Sequence, residues 1–384
     1  MDNCAIHGGI GGGRLPVSEA DGAPGESIRQ GVTGIILAGT HVWGENTLDQ
    51  VVPRPLVPVG GRPLICHILG WMASGGLGQA TICANSDTAL FRACLGDGRC
   101  LGIDVNYAED TMPRGPAGCI RDVMAQTRRG TFVVVEGGTL PSLNLDELLA
   151  AHRGTKAALT IVLSPESNED CPGRPLGIYI VEAEAIDQVP EHGFQDIKER
   201  LIPDLYRAGH RIATVVASPG SPLRVTDAAS YLAVNAWATE QMVRDEGVRG
   251  DGSSVSPHGS RVASSARVVG PVWMGPRCVI GPGAIIIGPT CIGAGCEIGA
   301  GAVISRSALW DGCRVGAGSI VDHSVVTVGA SVEPEAVLRS AFCVSPSPAG
   351  TPVVDWLMSR CWAAPDGVRN SPAARADSVL PLAS

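Results

Sequence analysis

The chain has 384 residues, of which 45% are hydrophobic, and a formal net charge of −9 at pH 7. A chain of this length buries a sizeable core and is expected to form two or three domains. The acidic balance excludes binding to nucleic acid or another large polyanion, which requires a concentrated positive field, but it is compatible with small anions at a local site.

Residues 1–31 are rich in Gly, Ser and Pro and show no periodic apolar pattern, which predicts a disordered N-terminal arm. The arm contains neither the basic n-region nor the apolar h-region of a secretory signal. No apolar run in the chain is long enough to span a bilayer. These features predict a cytoplasmic protein with no membrane partner.

The first strong pattern is an apolar run that ends in a glycine-opened loop, IILAGTHVWGENTL at residues 35–48. Such loops often hold phosphate through backbone N–H groups and a helix N-terminus. This loop contains no lysine or arginine. We interpret it as the remains of a phosphate site.

From residue 32 to residue 242, strand-like runs alternate with helical ones. In chain order they include GIILAG, RPLICHILGWMASGG, QATICAN, TALFRACLG, IDVNYAE, AGCIRDVMAQT and TFVVVEGG. The alternation predicts an α/β domain with a largely parallel sheet. Residues 243–261 are polar and glycine-rich, which predicts a linker.

Beyond the linker, apolar residues recur at every sixth position, often with glycine next. The positions are Val262, Val268, Met274, Ile280, Ile286, Ile292, Ile298 and Ile304. A hexapeptide period predicts a β-helix over residues 262–343, which is also a candidate assembly surface. The register slips by one residue after Ile304. Residues 344–384 are predicted to form a C-terminal tail, with a possible short helix at VVDWLMSRCW.

The 13 cysteines include no CxxC pair. Cys291 and Cys296 come closest to a metal-binding spacing, but no histidine or further cysteine completes a set. Free, reduced thiols are therefore predicted, and the sequence predicts no metal site and no cofactor.

The order of strand, glycine loop, VPRPLVPVGGRPLI and hexapeptide repeats resembles the nucleoside-diphosphate-sugar pyrophosphorylases. The mannose-1-phosphate guanylyltransferases and glucose-1-phosphate nucleotidyltransferases are the closest in layout. The resemblance implies a Rossmann-like α/β/α domain followed by a left-handed β-helix that often serves in oligomerisation. It also implies transfer of a nucleotidyl group to a sugar 1-phosphate, with Mg²⁺ and basic side chains neutralising the phosphates.

The nucleotide-binding positions implied by the resemblance are partly kept. The family loop Gly-Gly-x-Gly-Thr-Arg-Leu keeps only its first glycine here, and its arginine position is Gly44 or Glu45. His41 is a weak phosphate-contact candidate. The motif EDTMPRGPAGCI matches the family's Gly-Thr-Ala-Gly turn apart from Pro116. The candidate nucleotide-binding residues are Ala38, Gly39, Thr40, Gly115, Ala117 and Gly118.

The basic positions implied by the resemblance are altered. Arg54 replaces the lysine of Pro-Lys-Pro-Leu and is the catalytic candidate, and Arg62 stands where the family often has lysine. The family's sugar-phosphate lysine lies on a hairpin that is shortened here to ESNEDCPGRP, which leaves Arg174 as the basic candidate.

Both metal carboxylates implied by the resemblance are missing. Gly138 stands at the first aspartate and Arg224 at the second. Glu136, which lies two residues before Gly138, and Asp227 are candidate substitute ligands. Mg²⁺ is expected only if these residues restore activity.

We therefore predict a nucleotidyltransferase-fold protein with degenerate chemistry that acts as a regulatory or structural subunit. A nucleotide or NDP-sugar is the predicted ligand, and a homo- or hetero-oligomer through the β-helix is the predicted assembly. One alternative is an active nucleotidyltransferase that uses Glu136, Asp227, Arg54, His41 and Arg174. The other is an acyltransferase with His323 of the repeats as base.

Overall fold

The computed structural model describes residues 31–39, 51–84, 88–110, 114–127, 130–165, 173–218, 224–245, 254–255 and 259–344. The predicted N-terminal arm, apart from Gly31, and the predicted tail beyond Val344 lie outside these residues. So do Thr40, His41 and the remainder of the first loop, and residues 166–172 of the shortened hairpin. No helix in the described part is long and apolar enough to cross a bilayer.

The first domain alternates strands and helices, as its sequence pattern predicts. Its elements are β1 (Val32–Leu37), β2 (Pro58–Val59), β3 (Arg62–Pro63), α1 (Leu64–Ser74), β4 (Gln79–Ala84), α2 (Thr88–Leu95), β5 (Asp104–Glu109), α3 (Gly115–Thr127), β6 (Thr131–Glu136), α4 (Leu145–Thr155), β7 (Leu159–Leu163), β8 (Pro175–Glu182), α5 (Ile202–Arg207), β9 (Ile212–Val216) and α6 (Ala228–Asp245). β2 and β3 form a small hairpin beside the main sheet.

Seven strands form the main sheet in the order β5-β4-β1-β6-β8-β7-β9. The pairs of β1 with β4 and β6, of β4 with β5 and of β7 with β9 are parallel, whereas β8 is antiparallel to both β6 and β7. Between β7 and β8 the chain has no crossover helix among its described residues. A short connection of this kind joins antiparallel neighbours, because parallel strands need a longer crossover.

Alternate side chains of the sheet point into two separate cores. Ile36 and Val135 face the core under α1, α2 and α4, whereas Ile35, Val134 and Tyr179 face the core under α3 and α5. This is the period of two expected for strands buried on both faces. The predicted α/β/α sandwich is therefore confirmed.

The second domain consists of short parallel strands in three sheets. They are β10 (Ser254–Val255), β11 (Arg261–Val262), β12 (Arg267–Val269), β13 (Val272–Met274), β14 (Val279–Ile280), β15 (Ile285–Ile287), β16 (Thr290–Ile292), β17 (Glu297–Ile298), β18 (Val303–Ser305), β19 (Ala308–Leu309), β20 (Arg314–Val315), β21 (Ile320–Asp322), β22 (Val325–Val326), β23 (Ser331–Val332), β24 (Val337–Arg339) and β25 (Phe342–Cys343). Every third strand pairs, which gives the three faces of a β-helix. The repeat residues from Met274 to Ile304 are buried.

The register slip after Ile304 has a local cause in one corner of the β-helix. Ile286 pairs with Ile304, eighteen residues later, but Ile304 pairs with Val321, only seventeen residues later. The corner after Ile304 is one residue shorter than the corner after Ile286. Arg306 adopts a φ of 46° in this shortened corner.

The two domains pack together through α6 and the β2–β3 hairpin. The Tyr231 hydroxyl donates to the Pro58 carbonyl at 2.6 Å and accepts from Trp310 Nε1 at 2.9 Å. Gly61 in the hairpin turn has a φ of 75°, and a Cβ there would lie 2.1 Å from the Trp273 ring. The Gly-Gly pair in VPVGGRPLI therefore allows close packing of the domains.

Candidate functional site

A cleft of about 430 Å³ opens at the carboxyl ends of the central strands. Its walls include Leu37 and Gly39 after β1, Cys83 of β4, and Glu136 at the end of β6. These three strands run parallel, so their carboxyl ends meet at one edge of the sheet, where α/β folds bind their ligands. The carboxyl ends of these strands, which the sequence pattern predicts to be parallel, therefore form one cleft.

An ion pair between Glu136 and Arg224 lies in the wall of this cleft. Arg224 donates through its guanidinium to Glu136 Oε2, and the Tyr179 hydroxyl donates to Oε1 of the same carboxylate at 2.9 Å. Both members of the pair are about three-quarters buried, with 23% and 26% of their side chains exposed. Both oxygens of Glu136 are therefore engaged by protein donors.

Tyr179 takes part because of strand register. It lies on β8 directly opposite Val134 of β6, and Glu136 follows two residues after Val134 on the same face. Burial first, and then the neighbouring Glu136 carboxylate, raise the pKa of Tyr179 well above its usual value. The phenol therefore stays a hydrogen-bond donor over the physiological pH range.

Gly138, where the resemblance implies the first metal-binding aspartate, is closely surrounded. A Cβ on Gly138 would lie 2.8 Å from Arg54 Cδ and 3.1 Å from the Val225 carbonyl oxygen. The Val225 N–H donates to the Gly138 carbonyl at 2.7 Å, which ties the segment after Arg224 to this turn. Arg54, on a short 3₁₀ helix at Arg54–Leu56, thus lies over the backbone of Gly138 in the cleft.

The N-terminal turn of α3 forms another wall, through Gly115 and Pro116. Gly115 has a φ of 76°, and a Cβ there would lie 2.5 Å from the Gln195 carbonyl oxygen. That carbonyl accepts from the Ala117 N–H at 3.0 Å, and the Gln195 N–H donates to the Arg114 carbonyl at 2.6 Å. The glycine is therefore required by its packing against Gln195.

Cys119 and Asp110 also line the cleft. Asp110 Oδ2 accepts from the Cys119 thiol at 3.3 Å and from the Arg114 N–H at 3.1 Å. Burial, followed by the Asp110 charge, raises the pKa of Cys119 to about 12. A thiol with this pKa is protonated at neutral pH, so Cys119 is a poor nucleophile.

The structure brings only some of the predicted site residues to the cleft, namely Gly39, Arg54, Gly115 and Glu136. Ala38 is buried next to it, and Ala117 packs in the core under α3. Gly118 lies within α3, where a Cβ would meet the Arg114 side chain at 2.6 Å. Neither Ala117 nor Gly118 lines the cleft.

The other basic and acidic candidates lie elsewhere. Asp227 lies just before α6 and accepts from the Ser230 N–H at 2.8 Å. Its carboxylate therefore caps the N-terminus of that helix. Arg174 and Arg62 are exposed, and neither they nor Asp227 line the cleft. His323 is on a corner of the β-helix, with Nδ1 3.3 Å from Asp322 Oδ1.

Several cleft residues were not predicted from the sequence: Tyr179, Asp110, Phe194, Asp196 and Lys198. The alternation of LGIYIVE would have placed Tyr179 on an inward face. Lys198 had a stronger signal, because it is one of two lysines in the chain. The contacts that bring residues 194–198 to α3 join segments distant in sequence, so local patterns do not reveal them.

The residues present do not fit a bound Mg²⁺. Glu136 is already paired, Gly138 has no side chain, and Arg224 brings a positive charge to the place where the resemblance implies a second carboxylate. Within the described ranges, no group of three or more His, Cys, Asp and Glu side chains is arranged to hold a metal ion. Mg²⁺ requires several oxygen ligands, of which carboxylates carry the charge.

Sequence profiles of two families match the chain. The nucleotidyl transferase profile matches residues 33–173, and the profile of the GMPPB C-terminal domain matches residues 268–347. The first match contains the cleft strands β1, β4 and β6, and the second contains most of the β-helix.

Curated relatives agree with these profiles. The mannose-1-phosphate guanylyltransferase of Mycobacterium tuberculosis is 26% identical over 46% of this chain and 56% of its own length. The D-glycero-alpha-D-manno-heptose 1-phosphate guanylyltransferase of Aneurinibacillus thermoaerophilus is 26% identical over 34% of this chain and 56% of its own length. The UTP–glucose-1-phosphate uridylyltransferase of Synechocystis sp. is 24% identical over 65% of this chain and 80% of its own length.

The match thus covers just over half the length of each of the first two relatives. All three relatives are named as guanylyl- or uridylyltransferases of a sugar 1-phosphate. The layout predicted from the motifs is confirmed by both profiles and by the fold. The chain is therefore similar to sugar-phosphate nucleotidyltransferases, with residues 33–173 matching the nucleotidyl transferase family and residues 268–347 matching the GMPPB C-terminal domain.

Proposed function

We propose that this protein binds a nucleotide or NDP-sugar in the cleft without catalysing nucleotidyl transfer, and acts as a regulatory or structural subunit in NDP-sugar biosynthesis. The observation that carries the proposal is the ion pair between Glu136 and Arg224. It occupies the place where the resemblance implies two metal-binding carboxylates.

The chemical argument rests on charge. Phosphoryl-group transfer depends on positioning and on neutralising the charge of the phosphates. Arg224 neutralises Glu136 instead, and Gly138 supplies no carboxylate. Loss of a single charge-stabilising group typically slows an enzyme by about 10²–10³-fold. Loss of several together is expected to slow transfer by well over ~10⁴-fold.

Binding does not require the lost groups. The cleft is lined by Gly39, Gly115 and the basic side chain of Arg54. A guanidinium and backbone N–H groups are sufficient to hold a phosphate. The proposal therefore separates recognition, which the cleft retains, from turnover.

An apolar face of the β-helix supports the subunit role. Val269 on β12 pairs with Ile287 on β15, and 49% and 38% of their surface is exposed. Val337, on β24 of the same sheet but separated from β15 by β18 and β21, is 56% exposed. Adjacent exposed aliphatic side chains are typical of an interaction surface. We therefore assign this sheet to contact with a second copy or a sister chain.

The test is calorimetric titration of the purified chain with GDP-mannose, UDP-glucose and the nucleoside triphosphates, in Mg²⁺ and in EDTA. Pyrophosphate release from triphosphate and sugar 1-phosphate is followed in parallel. We expect binding that is unchanged by EDTA, and no release. Metal-dependent release at a rate normal for the family overturns the proposal, as does the absence of any binding.

Active nucleotidyl transfer is the alternative within the family. It requires Glu136 and Asp227 to act as substitute ligands, but Glu136 is paired with Arg224 and Asp227 accepts from residues of α6 outside the cleft. Metal-dependent pyrophosphorolysis of an NDP-sugar distinguishes this alternative from the proposal.

Acyl transfer by the β-helix is the other alternative. His323 contacts Asp322 and lines a second cleft, of about 470 Å³, between α6 and the β-helix. A histidine oriented by a carboxylate is a recognised arrangement for a general base. Consumption of acetyl-CoA in the presence of amino sugars tests this function separately, because Mg²⁺ and the first cleft have no part in it.

A further inference from the structure

Lys198 lines the cleft, although the chain contains only one other lysine, Lys156. Lys156 caps the C-terminal end of α4 and is not among the residues lining the cleft. The sequence pattern assigned no role to Lys198, because it lies between the segments that carry the family motifs. Its position is determined by the contacts of residues 194–198.

The backbone of this segment is held from both ends. Asp196 Oδ1 accepts from the Lys198 N–H at 2.6 Å and from the Glu199 N–H at 2.9 Å. Gln195 is hydrogen-bonded to Arg114 and Ala117 at the start of α3, and Ile197 is buried in the core below. The lysine backbone is therefore fixed at the cleft wall, while its side chain is exposed.

The segment lies near the ion pair. The pKa of Tyr179 is raised by burial and Glu136, and also by the charge of Asp196. Tyr179 donates to Glu136, and Asp196 and Lys198 line the same cleft as this pair. A phosphate bound in this cleft would share it with the Lys198 side chain.

The cleft's other charges are largely engaged by the protein. Arg224 pairs with Glu136, Asp196 accepts from backbone N–H groups, and Asp110 accepts from Arg114 and Cys119. For the Lys198 ammonium, the described residues provide no hydrogen bond or ion pair. An ammonium that lines a cleft without a protein acceptor is available for an anionic ligand.

We infer that the Lys198 ammonium binds a phosphate of the nucleotide or NDP-sugar, and supplies from the protein a positive charge at a site without Mg²⁺. The inference rests on the proposed function and adds a specific residue to it. Lysine suits this role, because a flexible stem with a compact charge reaches phosphates of different sugar nucleotides without a fixed bidentate geometry.

The test compares Lys198→Met with Lys156→Met and Lys198→Arg in EDTA. The probes are GDP-mannose, UDP-glucose and the uncharged nucleosides guanosine and uridine, measured by calorimetry at two salt concentrations. We expect Lys198→Met to raise the Kd for the sugar nucleotide by about tenfold or more, and to weaken its salt dependence. Lys198→Arg and Lys156→Met are expected to stay within about twofold of the wild-type protein.

The nucleosides carry no phosphate, so loss of a phosphate contact leaves their Kd unchanged, whereas a change in the shape of the cleft raises it. A loss with Lys198→Met that is equal for nucleosides and sugar nucleotides overturns the inference, as does an unchanged Kd for the sugar nucleotides. Both results leave the proposed function intact if the wild-type protein still binds in EDTA. Absence of binding by the wild-type protein instead overturns the proposed function, and the role of Lys198 with it. Thermal melting of each variant verifies folding.

Discussion

Arg224 and Glu136, 88 residues apart in sequence, form an ion pair at the carboxyl end of β6. The guanidinium lies where the resemblance implies a metal ion. The Tyr179 hydroxyl donates a hydrogen bond to the other oxygen of the Glu136 carboxylate. The protein therefore neutralises this carboxylate internally.

The first prediction is that the metal site is restored by two substitutions. Gly138→Asp with Arg224→Asp frees Glu136 and provides three carboxylates, which are ligands suited to Mg²⁺ and Mn²⁺. We expect the double variant to bind Mn²⁺ with a micromolar to millimolar Kd, measured by electron paramagnetic resonance. Gly138→Asp alone is the control, and is expected to bind no better than wild type because Arg224 remains. Equal Mn²⁺ binding by all three proteins would contradict this account.

The second prediction concerns the stability of the ion pair. Arg224→Ala leaves a partly buried Glu136 with only Tyr179 as donor, so we expect the free energy of unfolding to fall by about 1–2 kcal/mol. Arg207→Ala is the matched control. Its pair with Asp204 has an arginine that is 70% exposed, and its loss is expected to change stability by less than about 0.5 kcal/mol. Urea denaturation measures the free energy of unfolding of both variants. An equal loss in the two would contradict the prediction.

The third prediction tests the contact between the domains. Gly61→Ala is expected to reduce stability by about 3 kcal/mol or more, because the new Cβ would overlap the Trp273 ring and the φ of 75° is unfavourable. Gly209→Ala has a similar φ of 79° but no atom within 4 Å of its Cβ. We expect it to lose only about 1 kcal/mol. Thermal and urea unfolding compare the two, and similar losses would show that Trp273 does not contribute.

The fourth prediction is a pH dependence centred on Asp322. A hydrogen bond from Ser305 at 2.5 Å, followed by Arg306 and His323, lowers the pKa of Asp322 to about 2. A lowered pKa contributes stability above the unfolded value near ~4, and this contribution is lost as the pH falls through about 2. The stability difference between wild type and Asp322→Asn should therefore be full at pH 6 and roughly half at pH 3. A difference independent of pH would contradict the assignment.

The fifth prediction concerns Phe194, which lines the cleft and is 55% exposed. Its ring is available to stack on a sugar or base, a contact that contributes about 0.5–1.5 kcal/mol. We expect Phe194→Ala to raise the Kd for a sugar nucleotide by about 2- to 12-fold without lowering the melting temperature. Tyr206→Ala, at a residue that is 68% exposed and not among those lining the cleft, is the control and should leave the Kd unchanged.

The sequence by itself determined the two-domain layout, because both signals are local and periodic. Alternating apolar runs specify the α/β domain, and a six-residue period specifies the β-helix, including the shortened corner after Ile304. Strands buried on both faces require runs of apolar residues. Each face of a β-helix coil requires one inward apolar residue, which gives the six-residue period. The sequence likewise identified the glycine turn of α3, and the resemblance drew attention to Gly138 and Arg224.

Only the tertiary structure decided what those substitutions do. The pairing of Arg224 with Glu136, the engagement of Asp227 in the first turn of α6 and the position of Lys198 on the cleft wall all join segments far apart in the chain. Side-chain partners at such distances depend on how helices pack across the sheet, and no local periodicity encodes them. The missing carboxylate at Gly138 and the ion pair of Arg224 with Glu136 can be assigned to one site only because the structure shows these residues in the same cleft.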